Sequence, residues 1–170
     1  HLISGPTHLE ISHPNIKITA VTSADEMYKA SIDIFKHADI AILAAAVADY
    51  KPDVVADQKI KKVEGSLNIN LTKTKDIAAA LGKIKTQSQV MVGFALETEN
   101  EESNAQKKIV KKNFDFIVLN SLNDKGAGFG HDTNKISIID KQNKIRKFEL
   151  KSKKAVAQDI VDTVKEIYDA

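Results

Sequence analysis

Two periods of hydrophobic and polar positions take turns along this chain. Residues 15–21 alternate through Ile16, Ile18 and Ala20, which predicts a strand. Ser23 with Glu26 three residues on is a capping box, and Met27, Ala30, Ser31 and Ile34 then share one face of a helix reaching about His37. Residues 39–45 are continuously apolar after Asp39, as for a strand covered on both faces. Residues 66–71 alternate again and read as a strand. Thr74 is the expected N-cap of a helix over 75–85, with Ile77, Ala78 and Leu81 inward. Residues 89–95 predict a buried strand, and Thr98 with Glu101 a second capping box for a helix over 99–113.

The last third continues the pattern. Residues 114–119 are apolar apart from Asp115, and 120–134 form a polar, Gly-rich loop. Residues 135–139 and 145–150 predict a hairpin around 141–144. Ser152 caps a final helix to about Tyr168, with Val156, Ile160, Val164 and Ile167 inward. Apolar strands alternating with amphipathic helices imply parallel β-α-β units with right-handed crossovers. The expected class is α/β: a mostly parallel sheet, helices on both faces and a C-terminal antiparallel hairpin. With no repeat or linker visible, residues 1–170 read as a single domain.

Composition narrows the function without naming it. The formal net charge of +2 calls for neither nucleic acid nor a membrane surface. Cysteine is absent, which removes disulfides and thiolate chemistry. No apolar run has the length of a membrane span, and the expected setting is cytoplasmic. The histidines, His1, His8, His13, His37 and His131, show no metal-ligand spacing.

Candidate chemistry gathers where three expected parallel strands end. After Ala45 comes Ala46-Val47-Ala48-Asp49-Tyr50, after Val92 comes Gly93-Phe94-Ala95-Leu96-Glu97-Thr98, and after Leu119 comes Asn120-Ser121-Leu122-Asn123-Asp124. All three would share one sheet edge, where open α/β sheets bind ligands. Asp49 reads either as a turn acid or as a carboxylate for ribose hydroxyls or Mg²⁺. The cluster Lys59, Lys61 and Lys62 is either a solvated run or a cationic arm that neutralises phosphate charge. Thr74-Lys75-Asp76 opens a helix whose free N–H groups suit a phosphate or base edge, or is a plain cap. Phe94 is core or pocket wall. At about 100° per residue, Lys108 and Lys112 flank the stripe of Ala105 and Ile109, whereas Lys107 and Lys111 point away. Snorkelling over the core edge is the plainer reading of that pair. Gly126, Gly128 and Gly130 do not make the dinucleotide fingerprint.

These motifs resemble the phosphopantothenate–cysteine ligase domain of coenzyme A biosynthesis. The anchors are GPTHL at 5–9, AAVADYKP at 45–52, KIKK at 59–62, GFALETEN at 93–100, FDFIVLN at 114–120 and GFGHDTNKISII at 128–139. The resemblance implies a Rossmann-like homodimer that joins the carboxylate of 4′-phosphopantothenate to cysteine. Bacterial members form an acyl-cytidylate from CTP with Mg²⁺; use of ATP is the alternative. By motif, Lys59 would be catalytic and would stabilise charge at the α-phosphate. Asp49 would contact the nucleotide, with Leu43, Ala44 and Ala45 lining its pocket. Lys75, Asp76, Ile77 and Ala78 stand at the helix start that would meet the base; here 73–77 reads KTKDI where the family has KNPDI. Phe94 is the aromatic of GF-x-x-E-T, and Lys108 and Lys112 match the family's helix lysines. The last two fall toward the C-terminal end of their helix, away from the expected ligand edge. A non-catalytic Rossmann-like nucleotide-binding module is the competing reading.

One departure stands at the start. Family members open with a strand, a first G-P-T turn and a Ser-Gly-rich segment; this sequence begins near the second G-P-T, at Gly5. The domain is therefore expected to be N-terminally incomplete. The family's fused flavin-containing decarboxylase half lies outside it, so no flavin is expected.

Overall fold

A computed structural model of the chain describes residues 1–61, 65–97, 100–121 and 132–170. Strand β1 (Leu2–Ser4) pairs in parallel with β2 (Ile18–Ala20), with Leu2 opposite Ile18. The Ser23 capping box forms as expected and starts helix α1 (Ala24–Phe35). Strands β3 (Ile40–Leu43), β4 (Tyr50–Pro52) and β5 (Leu71–Lys73) follow, then α2 (Ile77–Ile84) and β6 (Val90–Glu97). Next come α3 (Glu101–Lys112), β7 (Phe116–Ser121), β8 (Thr133–Asn134), β9 (Ile136–Asp140), β10 (Ile145–Lys147), β11 (Lys151–Ser152) and α4 (Lys153–Tyr168).

The central sheet has the order β10-β9-β7-β6-β3. β3, β6 and β7 run parallel, while β9 and β10 add the expected antiparallel hairpin at one edge. One face carries Phe35 of α1, Leu81 of α2, and Ala105 and Ile109 of α3, packed on Met91, Ile117 and Ile139. The other carries Val156, Ile160 and Val164 of α4, packed on Val92, Val118 and Ile138. Each face thus buries an apolar helix stripe on apolar strand residues, which is the physical reason for the layered class.

Several expectations shift. The strand expected over 66–71 is β5 at Leu71–Lys73; 66–70 lies exposed and, among the described residues, belongs to no sheet. β5 instead pairs antiparallel with β4 in a separate two-stranded ribbon. The cap of α2 is Asp76, which accepts the Ala79 N–H at 3.0 Å, and not Thr74. Asn100 precedes α3 in the left-handed conformation at φ 48° without a side-chain bond; the capping box expected of Thr98 with Glu101 falls on Thr98, which lies outside the described residues. β3 is not covered as a central strand would be: Ile40 and Ile42 are 38% and 45% exposed.

Three glycine and acid positions lock the layers. A Cβ on Gly93 would meet the Phe114 ring at 2.5 Å, and one on Gly82 would meet the Lys112 carbonyl oxygen at 2.1 Å. Both are sites where backbone and neighbour approach closely. Buried Asp115 accepts the Met91 N–H at 2.7 Å and the Lys85 ammonium at 2.7 Å, tying β6 and the segment after α2 to the start of β7.

Candidate active site

The parallel register puts the ends of β3, β6 and β7 on one edge, as the alternation of elements predicts: Leu43 lies beside Gly93, and Leu96 beside Asn120. A cavity of about 500 Å³ opens there and runs back along β3 beneath α1. Its walls at the strand-end edge include Leu43, Ala44, Ala45, Asp49, Lys75, Asp76, Ile77, Ala78, Phe94, Lys108 and Lys112. All the residues expected at the nucleotide, except Lys59, therefore converge on a single space.

Local bonds explain that convergence. After β3 the chain leaves the sheet through small residues and returns as β4, with Ala48 and Asp49 held by Thr74. The Thr74 hydroxyl donates to the Ala48 carbonyl at 2.7 Å, and its N–H donates to the Asp49 carbonyl at 2.9 Å. Thr74 thus fastens the Asp49 turn to the approach of α2 instead of capping that helix. The Asp49 carboxylate is exposed at the cavity, with no ion pair or hydrogen bond among the described residues.

Asp76 stands at the N-terminus of α2 and faces the end of α3: its Oδ2 is 3.1 Å from the Lys112 ammonium. Burial pushes the Asp76 pKa up, but the Ala79 N–H and Lys112 outweigh it and hold the carboxyl below 3.8. The wheel reading of α3 holds: Ala105 and Ile109 are buried, Lys108 and Lys112 half-buried, and Lys107 and Lys111 exposed. The distance of these lysines from the ligand edge is bridged in two ways. Helical side chains slant toward their own N-terminus, and α2 is only 8 residues long, so its start is within reach of Lys112.

Lys75 points to α1. Its ammonium lies 3.8 Å from Asp25 Oδ1 and 4.8 Å from the centre of the Tyr28 ring. Lys51 of β4 also bonds Asp25, and this hydrogen bond leads the causes that lower the Asp25 pKa. Phe94 contacts the α4-side core while lining the cavity. Lys59 and Lys61 sit exposed on the segment joining β4 to β5, and Lys59 does not line the cavity. Lys62, Gly126, Gly128, Gly130 and His131 lie outside the described residues. Among those described, no group of three His, Asp or Glu forms a metal cluster. Phe114 lines the cavity but is absent from the expected set; its signal was Gly93, the one residue that leaves room for its ring.

Comparison with known proteins fixes the family. The DNA/pantothenate metabolism flavoprotein C-terminal domain profile matches residues 1–168. The chain belongs to this family. It is 40% identical over 163 residues to the coenzyme A biosynthesis bifunctional protein CoaBC of Bacillus subtilis, covering 96% of this chain and 40% of that protein. It is 56% identical over 160 residues to a cysteine/cysteine sulfinic acid decarboxylase of an unknown prokaryotic organism, covering 94% of this chain and 45% of that protein. The chain thus spans less than half the length of these relatives. The crystal structure of the C-terminal domain of a CoaBC protein superposes with a TM-score of 0.80 at 32% identity, over 99% of this chain and 74% of that one. Among the described residues, no helix is long and apolar enough to cross a membrane.

Proposed function

We propose that this chain is the ligase domain that joins 4′-phosphopantothenate to cysteine through an acyl-nucleotide. The observation that carries the reading is the cavity, where an acid with no partner among the described residues, a helix N-terminus and two lysines meet at the strand-end edge. The first-turn amides of α2, at Ile77 and Ala78, would receive the base edge, and Lys108 and Lys112 the triphosphate. Asp49 fits a ribose or a cation carried on the phosphates, since a hard dication on a nucleotide needs only one or two protein carboxylates. Mg²⁺ there would neutralise phosphate charge when bound.

In the first step a carboxylate oxygen of phosphopantothenate attacks the α-phosphorus and pyrophosphate leaves. In the second the cysteine amine attacks the acyl carbon, loses a proton and expels the nucleoside monophosphate. Lys59 acts from the β4–β5 segment on the charge at the α-phosphate. CTP is the preferred nucleotide in this reading, with ATP the alternative. The working protein is a single-domain unit within a cytoplasmic homodimer.

The test is a product assay on the natural polypeptide with phosphopantothenate, cysteine and either CTP or ATP. Phosphopantothenoylcysteine and pyrophosphate in equal amounts are expected. Lys59→Gln should retain nucleotide binding within a few-fold and lower turnover by about 100-fold or more, the scale of losing one charge-stabilising donor. A relative named for a cysteine decarboxylase supplies the second reading. Nucleotide-independent release of CO₂ from cysteine, with no pyrophosphate, would favour it. Binding of nucleotide without product would favour a non-catalytic module.

A further inference from the structure

We propose that Lys75 is a positioning residue for the nucleotide: laid over the Tyr28 ring, its side chain fixes the helix start that meets the base, and it does so from outside the nucleotide site. This role rests on the ligase reading, in which the first-turn amides of α2 receive the base edge. Three consecutive residues fasten that helix start, each to a different element. Thr74 holds the turn after β3, through its bonds to the Ala48 and Asp49 carbonyls at 2.7 and 2.9 Å. Asp76 holds the end of α3, through Lys112 at 3.1 Å. Between them, Lys75 makes no backbone hydrogen bond among the described residues, so its side chain is what ties that residue down. The tie goes to α1, where the ammonium stands 4.8 Å from the centre of the Tyr28 ring and 3.8 Å from Asp25 Oδ1.

The ring is the stronger holder of the two. Asp25 is half-exposed and its other oxygen already bonds Lys51, so its pull on Lys75 is screened and shared. Tyr28 is half-buried on α1 and offers a π face to the cation and apolar surface to the lysine stem. Both partners lie off the nucleotide site. Lys75 borders the main cavity and also a second hollow of about 530 Å³; Asp25 and Tyr28 line the hollow and not the cavity. Met27, Ser31 and Ile34, on another flank of α1, line the cavity instead. The Lys75 ammonium is thus drawn toward α1, away from the space where phosphates would sit, and its effect on a nucleotide passes through the backbone it holds. A base edge read by backbone N–H groups demands a fixed direction of those groups. A helix start left loose would have to be ordered on binding, which lowers affinity, and would aim its donors less selectively at one base.

Steady-state turnover of the natural polypeptide with CTP and with ATP tests this on a series of variants. Lys75→Ala should raise KM for the better nucleotide about three- to ten-fold, the scale of one exposed cation–π contact with a weak ion pair, and leave kcat within about two-fold. The ratio of kcat/KM between the two nucleotides should fall by a similar factor. Tyr28→Leu should reproduce both changes, and Tyr28→Phe, which keeps the ring face, should not. Lys75→Pro should recover most of the loss: proline fixes its own φ, and the Lys75 N–H has no bond to lose among the described residues. Without nucleotide, the Thr74 amide should exchange with solvent several-fold faster in Lys75→Ala than in the parent. A parent-like KM and nucleotide ratio in Lys75→Ala would overturn the proposal. So would a Lys75→Pro variant as impaired as the alanine one, which means that the ammonium itself meets the nucleotide. A loss of kcat and melting temperature with KM unchanged would overturn it too, as the mark of a merely structural contact. Absence of pyrophosphate from either nucleotide in the parent removes the ligase reading as well, whereas turnover in the parent with no effect at Lys75 removes this role alone.

Discussion

Lys112, in the last turn of α3, reaches back to Asp76, the N-cap of α2, at 3.1 Å. This contact joins two helices at the rim of the cavity and gives Asp76 two tasks, capping α2 and holding a cavity lysine. The variants separate them. Asp76→Asn keeps a cap and removes the ion pair; Asp76→Ala removes both. Urea unfolding should show a loss of about 1 kcal/mol for the alanine variant and a few tenths for asparagine, because the carboxylate is nearly half exposed. The pH dependence follows from the lowered pKa. The folded value lies below 3.8, so the stabilisation is complete above about pH 4 and is lost as pH falls through the folded value. Asp76→Asn should flatten that part of the acid limb in pH-dependent unfolding.

Gly82 sets how closely α2 approaches α3. An alanine Cβ there would meet the Lys112 carbonyl oxygen at 2.1 Å, and the Asn113 amide already donates to the Gly82 carbonyl at 3.0 Å. Helix propensity alone favours Gly82→Ala by about 1 kcal/mol. The backbone clash opposes it, and overpacking of this kind costs about 1–3 kcal/mol. Gly82→Ala should therefore be net destabilising in chemical denaturation, opposite in sign to the propensity effect.

Asp115 is a buried carboxylate between two lysines, with Lys85 at 2.7 Å and Lys141 at 3.3 Å. Its Oδ2 also accepts the Met91 N–H at 2.7 Å. Lys85 is buried with it, at 7% side-chain exposure. Asp115→Ala would leave that ammonium and a strand amide without their acceptor, at a cost of about 3–5 kcal/mol. Replacing the acid and Lys85 together by apolar residues should recover part of the loss. A double-mutant cycle in urea checks both statements.

The layered class was legible because it depends on local pattern, and most of the cavity wall because its motifs resemble those of a known family. Capping at Ser23 and Ser152, the stripe of Ala105 and Ile109, and the apolar run of β7 each bury one face and fix an element. That Lys108 and Lys112 flank the buried stripe was legible from helical angle, and burial follows it residue by residue; their place at a ligand came from the family motif. What stayed illegible depends on partners distant in sequence. Thr74 looked like a cap, but Ala48 lies 26 residues away and takes its hydroxyl. The apolar run over 39–45 looked covered on both faces, but among the described residues β3 pairs with β6 alone and Ile40 and Ile42 stay part-exposed. Pairing in the β4–β5 ribbon was hidden because the alternation of 66–71 lies almost wholly before the residues that pair, Leu71–Lys73 with Tyr50–Pro52.

The place of Lys59 leads to the last prediction. It lies outside the cavity, on the segment between β4 and β5, so any action at a bound nucleotide depends on how that segment is held. Its base is anchored at three points: the β4–β5 pairing, the Thr74 bonds to Ala48 and Asp49, and the contact of Lys51 with Asp25 at the start of α1. Lys51 and Asp25 are both partly exposed, so Lys51→Met should leave global stability nearly unchanged. It should nonetheless free the segment, seen as faster limited proteolysis within residues 53–61 and 65–70. If Lys59 works from this arm, Lys51→Met lowers kcat several-fold while leaving the nucleotide KM close to that of the parent. Asp25→Asn should do the same. The lowered Asp25 pKa adds a pH signature: the latch is complete above about pH 4 and loosens as pH falls below 3.8. Acid should therefore quicken cleavage of the parent segment toward the rate that Lys51→Met already shows at neutral pH. A variant that unlocks the segment without touching kcat would separate Lys59 from the chemistry.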